Sequence, residues 1–316
     1  MKVLVTGGAG FIGSHLVDRL VDASHDVIVI DNFSTGRAGN LSYSRGLPNF
    51  QVVRTDVRRI PRSLLKRLKR IDGVVHLAAL TGVQQSIRDP FSTTDVNVVG
   101  TLNVLETAKA LKAERVVLAS SAAVYGTPRT LPIAEDANVS PISPYGASKA
   151  AAELYLESFE ENHGIDALAL RYFNVYGPRQ TASQYAGVIS IFTKRALNQQ
   201  PLQIFGDGSQ TRDFIFVSDI VDATMASLDA TPENRTFNIA SGKETTILEL
   251  AKAIQRITGS RSELEFCPPR SGDIARSVAH TTRAAEELGF KTRTSLDDGL
   301  SSTIRWFMQE RRTRAA

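Results

Sequence analysis

The stretch that decides the fold is Lys2-Val3-Leu4-Val5-Thr6-Gly7-Gly8-Ala9-Gly10-Phe11-Ile12-Gly13. Its first five residues are typical of a buried strand, and Gly7, Gly10 and Gly13 follow at G-x-x-G-x-x-G spacing. Glycines at this spacing permit a tight turn and let the backbone approach a pyrophosphate. The helix that begins there directs its free N–H groups at the anion. The stretch therefore predicts a dinucleotide-binding turn between a strand and a helix.

The first half of the chain continues this alternation of strands and helices. Strands are expected at Asp26–Ile30, Gln51–Arg54, Gly73–Leu77, Arg115–Ala119 and Ala167–Phe173, and helices at Ser14–Ala23, Asn97–Leu111 and Ala147–Asn162. Such alternation implies right-handed crossovers and a parallel sheet covered on both faces. We therefore expect an α/β protein with a Rossmann-type doubly wound parallel sheet.

The composition changes after Gly177-Pro178, where glycine, proline and polar clusters interrupt the pattern. Helices are expected at Gly187–Asn198, Val217–Leu228 and Ile247–Thr258. We predict a dinucleotide-binding domain at residues 1–175 and a smaller C-terminal substrate-binding domain at residues 176–316, interleaved with the first. The basic run Arg311–Arg314 is expected to form a mobile tail.

Composition limits the partners. The 316 residues include 37 basic and 33 acidic side chains, for a formal net charge of +4, which argues against nucleic acid and favours local binding of a small anion. No apolar stretch is long enough to span a bilayer, and the N-terminal sequence lacks a secretory signal. Cys267 is the single cysteine, so an intrachain disulfide is excluded and a zinc site is not expected. We expect a cytoplasmic enzyme without metal, nucleic-acid or membrane partners.

Asp31 stands at the end of the second predicted strand. A carboxylate there accepts hydrogen bonds from the adenine ribose hydroxyls and repels a 2′-phosphate, so it favours NAD over NADP. A surface aspartate beside a tight turn is the structural alternative. The residues that follow it are typical of a loop around the ribose edge, with Asn32, Ser34, Thr35 and Gly36 as candidate contacts.

Tyr145 and Lys149 lie four residues apart in Pro144-Tyr145-Gly146-Ala147-Ser148-Lys149, which places both side chains on one face of a helix. A free tyrosine has a pKa of about 10 and is a poor base at neutral pH. A lysine ammonium and a positively charged nicotinamide nearby both favour the phenolate, so we expect a lowered pKa for Tyr145. With the glycine turn present, this pair predicts a catalytic acid–base couple.

Together these motifs resemble the extended short-chain dehydrogenases/reductases, and within them the UDP-hexose 4-epimerases. The resemblance covers nearly the whole chain. It is carried by Thr6–Gly13, Asp56-Val57, His76–Ala79, Asn97, Ser120–Gly126, Tyr145–Lys149, Arg171–Gly177, Arg212–Phe214 and Arg270–Asp273.

The resemblance implies further site residues. Asp56 and Val57 would hold the adenine, and Ser121 would hydrogen-bond the sugar O4. Further cofactor contacts would come from Phe11, Ile12, Leu77, Ala78, Ala79, Asn97, Ser120 and Phe173. The sugar nucleotide would contact Asn174, Val188, Phe205, Arg212, Arg270, Asp273 and Ser277, besides Ser121 and Tyr145. Structural alternatives remain open: Ser120 as a strand-end hydroxyl, Asn174 as a turn residue, and either arginine as a surface side chain.

The reaction implied is NAD-dependent 4-epimerisation of a UDP-sugar. Oxidation at C4 gives a 4-keto sugar. This sugar rotates about its bonds to the diphosphate and is then reduced on its opposite face. We expect interconversion of UDP-glucose and UDP-galactose, and also of the N-acetylhexosamine pair, because a small Ser277 leaves room for the N-acetyl group. Alternatives are a uronate 4-epimerase, a 4,6-dehydratase or decarboxylase, a net reductase, and a catalytically silent NAD-sensing scaffold. The family's dehydratases carry an Asp-Glu pair where this chain has Ala122 and Ala123.

The resemblance also implies a homodimer. The helices expected at Asn97–Leu111 and Ala147–Asn162 would pair across a two-fold axis. Candidate interface residues are Leu105, Ala150, Ala151 and Leu154.

Overall fold

The computed structural model describes residues 1–180, 187–269 and 274–315. Arg270 and Asp273, two of the predicted substrate contacts, lie outside the described residues. The strands are β1 (Lys2–Thr6), β2 (Asp26–Asp31), β3 (Phe50–Arg54), β4 (Gly73–His76), β5 (Arg115–Ser121), β6 (Asp166–Tyr172), β7 (Asn174–Tyr176), β8 (Leu202–Phe205), β9 (Thr211–Arg212), β10 (Phe214–Phe216), β11 (Thr236–Ile239), β12 (Thr245–Thr246) and β13 (Leu264–Cys267). The helices are α1 (Phe11–Asp22), α2 (Arg62–Leu68), α3 (Val83–Arg88), α4 (Pro90–Thr94), α5 (Gly100–Ala110), α6 (Pro144–His163), α7 (Val188–Leu197), α8 (Val217–Asp229), α9 (Ile247–Thr258), α10 (Thr282–Glu287) and α11 (Leu296–Ala315).

Seven strands form one parallel sheet in the order β11-β6-β5-β4-β1-β2-β3. The chain moves outward from β1 in one direction to β3 and then returns to β4 on its other side. This reversal creates a crevice at the carboxyl ends of β1 and β4, where doubly wound folds bind dinucleotides. The predicted doubly wound α/β class is confirmed.

The central strands of the sheet are buried on both faces, which explains their continuous apolar runs, whereas the edge strand β3 is largely exposed. Side chains alternate along β1, so Val3 and Val5 face α1 and α8, whereas Leu4 faces α5 and α6. Val3, Leu4 and Val5 are each fully buried. The central strand is therefore held from both sides, and the turn that follows it has a rigid base.

The second half of the chain has a core of its own. It includes Ile189 and Phe192 of α7, Leu250 of α9 and Ile304 of α11. Strand β11 nevertheless leaves this region and pairs with β6 at the edge of the main sheet. The domain boundary near residue 175 stays a prediction.

One expectation was confirmed with a modification, and one was wrong. The helix expected at Asn97–Leu111 is present, and it begins with a π-helical turn at Asp95–Val99 that continues into α5. The run Arg311–Arg314 belongs to α11, and Arg311 donates a hydrogen bond to the Leu197 carbonyl at 2.7 Å. Basic side chains at a helix C-terminus are favoured by the helix dipole, so this charge run extends the helix.

None of the helices in the described ranges combines the length and apolar character needed to cross a membrane.

Candidate active site

A cleft of about 420 Å³ opens at the carboxyl ends of the central strands. Its lining includes all three predicted catalytic residues: Ser121, Tyr145 and Lys149. It also includes the predicted cofactor residues Gly7, Gly10, Phe11, Ile12, Gly13, Asp31, Asn32, Ser34, Thr35, Asp56, Val57, Leu77, Ala78, Ala79, Ser120 and Phe173. The fold thus gathers residues from separate strands at one edge of the sheet. Their individual roles stay predictions.

The glycine turn is shaped for close contact with an anion. Gly7 has a φ of +71°, and a Cβ on Gly13 would lie 2.2 Å from the Gly7 carbonyl oxygen. Side chains are therefore excluded where the turn enters α1. The helix begins at Phe11 after Gly10, which supplies no side-chain cap, so backbone N–H groups at its start can meet a pyrophosphate. The turn fits the dinucleotide that the sequence predicts.

Asp31 is 7% exposed and is held at the end of β2 by backbone amides. Its Oδ2 accepts a hydrogen bond from Ala9 N at 2.9 Å, and its Oδ1 accepts one from Phe33 N at 2.7 Å. Each carboxylate oxygen keeps a further lone pair, and the residue lines the cleft. These acceptor oxygens suit ribose hydroxyls and disfavour a 2′-phosphate, so the residues present fit NAD.

Asp56 lies beside Asp31 in the lining and is held by Asn32, whose Nδ2 donates to Asp56 Oδ2 at 2.9 Å. Hydrogen bonds from the Arg58 side chain hold the pKa of Asp56 well below its usual range. The Asp56 carboxylate therefore stays ionised and fixed in place, which suits its predicted contact with the adenine.

The catalytic set depends on a close approach between α6 and the turn after β5. Ser143 caps α6 by accepting a hydrogen bond from Gly146 N at 3.1 Å, and Pro144 takes the first helical position. A Cβ on Gly146 would lie 2.5 Å from the Ala123 carbonyl oxygen. Only glycine permits this contact, which lets Ser121 hydrogen-bond Tyr145.

Burial raises the pKa of Tyr145, and the hydrogen bond from Ser121 opposes that rise. The sequence predicted a lowered pKa, and for the protein's own groups this is wrong. The Lys149 ammonium is instead directed at the Ala119 carbonyl, to which it donates at 2.7 Å. Burial lowers the pKa of Lys149 to about 8, and the charge of Glu153 opposes the fall.

Ser120 is part of the cleft lining, but its hydroxyl is engaged by a buried ion pair. Its hydroxyl donates to Glu153 Oε1, and Arg171 donates to the two Glu153 oxygens at 3.0 and 2.8 Å. Arg171 also donates to the Tyr125 hydroxyl, which in turn donates to Asn238 of β11. The structural interpretation of the Ser120 hydroxyl is therefore favoured, and Ser121 is the serine that faces the reacting centre.

Two predicted cofactor residues lie outside the lining. Gly36 packs against Ala9, and a Cβ on Gly36 would lie 2.9 Å from the Ala9 backbone. The Asn97 amide is 2% exposed and brackets the Leu80 backbone, accepting from Leu80 N at 2.8 Å and donating to Leu80 O at 2.9 Å. The Asn97 side-chain amide lies behind Leu80, which lines the cleft, so Asn97 shapes the cleft by positioning Leu80.

The predicted sugar-nucleotide contacts are only partly brought together at the cleft. Asn174, Val188, Phe205, Arg212 and Ser277 are not part of the cleft lining. The Asn174 amide donates to the Asp213 carbonyl at 3.0 Å, and Arg212 donates to the Ile274 carbonyl at 2.6 Å. Val175 and Gly187, adjacent in sequence to two of these residues, do line the cleft.

Sequence reasoning missed several lining residues. They include Thr81, Gly82 and Gln85 after β4, and Arg179 and Gln180 after β7. Thr81, Gly82 and Gln85 follow β4, a strand of the switch-point region, and that position is the signal that could have identified them. Arg179 and Gln180 follow β7, which pairs with β10 outside the main sheet, so this signal does not indicate them.

The fold and the cleft define an enzyme class: a doubly wound protein with a dinucleotide cleft and a Ser–Tyr–Lys set. Residues 3–240 match the family described as the NAD dependent epimerase/dehydratase family, and the chain belongs to this family. NAD is accordingly its cofactor, and the predicted resemblance to extended short-chain dehydrogenases/reductases is confirmed.

Individual relatives carry names for different reactions. A putative UDP-glucose 4-epimerase of Methanocaldococcus jannaschii is 40% identical over 312 residues, covering 98% of this chain and 100% of that one. UDP-glucuronic acid decarboxylase 4 of Arabidopsis thaliana is 38% identical, covering 98% of this chain and 69% of its own length. A structure of UDP-N-acetylglucosamine 4-epimerase from Methanobrevibacter ruminantium, in complex with UDP-N-acetylmuramic acid, aligns with a TM-score of 0.92 at 39% identity, covering 98% of each chain.

Proposed function

We propose that this chain is a UDP-sugar 4-epimerase that interconverts UDP-glucose and UDP-galactose. The observation that carries the proposal is a complete Ser121, Tyr145 and Lys149 set in the cleft, followed along the chain by Ala122 and Ala123. The set suits proton and hydride transfer at one sugar carbon. The two alanines supply no acid or base for a second chemical step.

The protein's residues handle the proton of the reaction. Bound NAD would supply the hydride-transfer chemistry at sugar C4. Tyr145, as phenolate, accepts the proton of the 4-hydroxyl and gives it back to the same oxygen after the sugar has turned, while Ser121 donates a hydrogen bond to that oxygen. Hydride and proton both return to the sugar, so the net redox change is zero.

The phenolate form of Tyr145 needs nearby positive charge, because burial disfavours it. Lys149 lies one helical turn away, and its pKa of about 8 leaves the ammonium largely charged at neutral pH. The oxidised nicotinamide adds a second positive charge when bound. Proton transfer to Tyr145 is therefore favoured only when the positive charges of Lys149 and of bound NAD together stabilise the Tyr145 phenolate.

The family's dehydratases and decarboxylases are the nearest rivals. Relatives named for epimerisation and decarboxylation have similar identities to this chain, 40% and 38%, so overall similarity does not separate them. Ala122 and Ala123, which follow Ser121, support epimerisation over dehydration. An elimination requires an additional acid and base near the sugar, and alanine side chains cannot transfer protons.

The test is incubation of the purified protein with UDP-glucose, UDP-galactose, both UDP-N-acetylhexosamines and UDP-glucuronate, without added NAD, and separation of the products by chromatography. The proposal expects UDP-galactose from UDP-glucose and the reverse reaction, with the Tyr145→Phe protein as inactive control. A 4-keto-6-deoxy product would identify a dehydratase, and loss of carbon dioxide from UDP-glucuronate a decarboxylase. Turnover restricted to the uronate pair would identify a uronate 4-epimerase, and absence of turnover a silent NAD-binding protein.

A further inference from the structure

Gln85 presents to the cleft an amide that no described residue engages. The residue lies on α3, is half-buried and lines the cleft. Its side chain makes no hydrogen bond within residues 1–180, 187–269 and 274–315, yet neither amide atom is among the buried polar atoms that lack a partner. The amide oxygen and nitrogen are therefore both accessible to a molecule bound in the cleft.

A second glutamine of the cleft lining shows the difference. Gln180 Nε2 donates to the Val175 carbonyl at 3.0 Å, and Gln180 Oε1 accepts from Ser190 Oγ at 2.7 Å. The Gln180 amide is thus engaged at both ends and holds the wall of the cleft together. Gln85 has no such structural contacts, so its donor and acceptor groups remain available to a ligand.

The packing of α3 places Gln85 at the reacting end of the cleft. The adjacent Ser86 Oγ accepts a hydrogen bond from Tyr145 N at 3.1 Å, which ties α3 to the first turn of α6. Helix α3 follows β4, whereas Asp31 and Asp56 lie at the ends of β2 and β3, on the other side of β1. Gln85 therefore lies beside the catalytic tyrosine and away from the predicted adenine contacts.

The proposed reaction makes a particular demand on any group that binds the sugar beside C4. C4 stays at Tyr145 and C1 stays linked to the diphosphate, so the ring presents its opposite face by half a turn about the C1–C4 axis. This rotation exchanges the two edges of the ring. A fixed group beside C4 then meets the 3-hydroxyl in one orientation and the 6-hydroxyl in the other. An amide carries both donors and an acceptor, so it can hydrogen-bond either hydroxyl.

We propose that Gln85 hydrogen-bonds the hydroxyl that flanks C4, which is the 3-hydroxyl in one sugar orientation and the 6-hydroxyl in the other. The inference rests on the proposed epimerase function and adds a residue that recognises the sugar. Gln85 steadies the ring at both ends of its rotation and favours neither epimer. The substrate class that fits is a hexose with free hydroxyls at C3 and C6, because a sugar that lacks one of them leaves the amide unpaired in one orientation.

The first test measures sugar binding without turnover. The Tyr145→Phe protein with bound NAD is titrated with UDP-glucose, UDP-galactose and UDP by calorimetry. Gln85→Met in this background should weaken binding of both UDP-sugars by about 2-fold to 10-fold, the range for one neutral hydrogen bond, and leave UDP binding unchanged. Gln84→Met is the matched control, because Gln84 is exposed on the same helix outside the cleft lining, and it should change neither affinity. Equal losses for UDP and the UDP-sugars, or equal effects of the two substitutions, would overturn the proposal.

The second test identifies the hydroxyls with the 3-deoxy and 6-deoxy analogues of both UDP-sugars. UDP-glucose and UDP-galactose bind with opposite faces toward the nicotinamide, so the effect of Gln85→Met should disappear with the 3-deoxy analogue of one epimer and with the 6-deoxy analogue of the other. A loss of the same size with all four analogues would overturn the proposal. Unchanged melting temperatures are the folding control, and Gln85→Ala repeats both tests with a smaller side chain. These affinities are measured without turnover, so they are distinguishable from a failure of the wild type to epimerise UDP-glucose.

Discussion

At the scale of single residues, Tyr145 is the group on which the proposed chemistry depends. Tyr145→Phe removes the proton acceptor and preserves nearly all of the buried ring. We expect normal folding, retained NAD and a loss in kcat of at least about 100-fold, the lower end for general acid–base catalysis. Steady-state rates with UDP-galactose, together with the NAD released on denaturation, check this expectation. Turnover close to that of the wild type would contradict the role of Tyr145.

Ser277 is predicted to set the size of the sugar that is accepted. The residue is 8% exposed, and the neighbouring Val278 carbonyl accepts a hydrogen bond from Ile133 N at 2.8 Å. Ser277→Tyr should sharply reduce activity on the N-acetylhexosamine pair and largely spare the glucose/galactose pair, because only the N-acetyl group needs the space. Ser277→Ala is the control and should keep both activities.

The measurement is the ratio of kcat/KM values for the two sugar pairs. A parallel loss of both activities in Ser277→Tyr would remove Ser277 as the gate. Failure of the wild type to accept N-acetyl sugars would remove it as well.

His76 makes stability depend on pH. Thr101 donates to the Asn97 carbonyl, so Thr101 Oγ1 accepts from His76 Nε2 at 3.0 Å, and His76 Nδ1 accepts from Thr6 Oγ1 at 2.6 Å. This chain requires a neutral imidazole. Burial lowers the pKa of His76 from 6.5 to about 3, with the Lys149 charge as a second cause.

Between pH 6.5 and about 3 the unfolded chain binds a proton at His76 that the folded chain does not. The free energy of unfolding should therefore fall as the pH drops below 6.5, with a contribution from this residue of up to about 1.4 kcal/mol per pH unit. Urea denaturation of the wild type and of His76→Gln across this range measures the contribution. His280→Gln, at an exposed position, is the control, and an identical pH dependence in all three proteins would contradict the account.

At the scale of secondary-structure elements, α6 carries three consequential residues at intervals of one turn. Tyr145 and Lys149 face the cleft, and Glu153 continues the same stripe into the buried pair with Arg171. The side chains of Glu153 and Arg171 are 5% and 6% exposed. The helix thereby joins the catalytic set to β6 and, through Tyr125, to β11.

Glu153→Gln removes the carboxylate and leaves Arg171 as a buried charge with a weakened partner. We expect a loss of about 3–5 kcal/mol in the free energy of unfolding, because breaking a buried ion pair leaves an uncompensated charge. Denaturant unfolding measures it. Glu157→Gln, exposed on the same helix, should change stability little, and Glu153→Met combined with Arg171→Met should recover part of the loss. A stable Glu153→Gln protein would contradict the importance of this pair.

At the scale of the whole molecule, an exposed apolar surface favours the predicted homodimer. Phe91 of α4 is 87% exposed, Leu154 of α6 is 66% exposed, and Ile87 of α3 is 54% exposed. The helices α3 and α4 both pack beside α6. Leu105, one of the predicted interface residues, is instead 1% exposed and buried in the core beneath the sheet, so it cannot contact a second subunit.

We expect Phe91→Glu combined with Leu154→Glu to shift the protein from dimer to monomer, because two charges on an apolar surface would oppose its burial. Light scattering at micromolar concentration measures the mass, and Val139→Glu, at an exposed apolar position outside α3, α4 and α6, is the control. A wild-type protein that is already monomeric would contradict the prediction.

Features set by neighbours in the sequence were accessible without a structure. The strand–turn–helix at Gly7–Gly13, the acidic residue Asp31 after β2, and the four-residue spacing of Tyr145 and Lys149 depend on local backbone geometry. Alternating apolar runs were also enough to predict the parallel sheet and nearly all of its strands. Local steric and hydrogen-bonding rules act within a few residues, so the sequence alone determined the fold class and the centre of the cleft.

Other features were decided by tertiary packing. The family resemblance assigned the catalytic role to Ser121, but only the packing shows why: the buried Glu153–Arg171 pair engages the Ser120 hydroxyl, whereas Ser121 hydrogen-bonds Tyr145. Nor does the sequence show that the Asn97 amide lies behind the cleft lining, or that Arg179 pairs with Asp18, 161 positions earlier in the chain (179 − 18). Burial also reversed the expected direction of the Tyr145 pKa. These outcomes depend on which distant groups meet and how much water they exclude, and no local pattern encodes either.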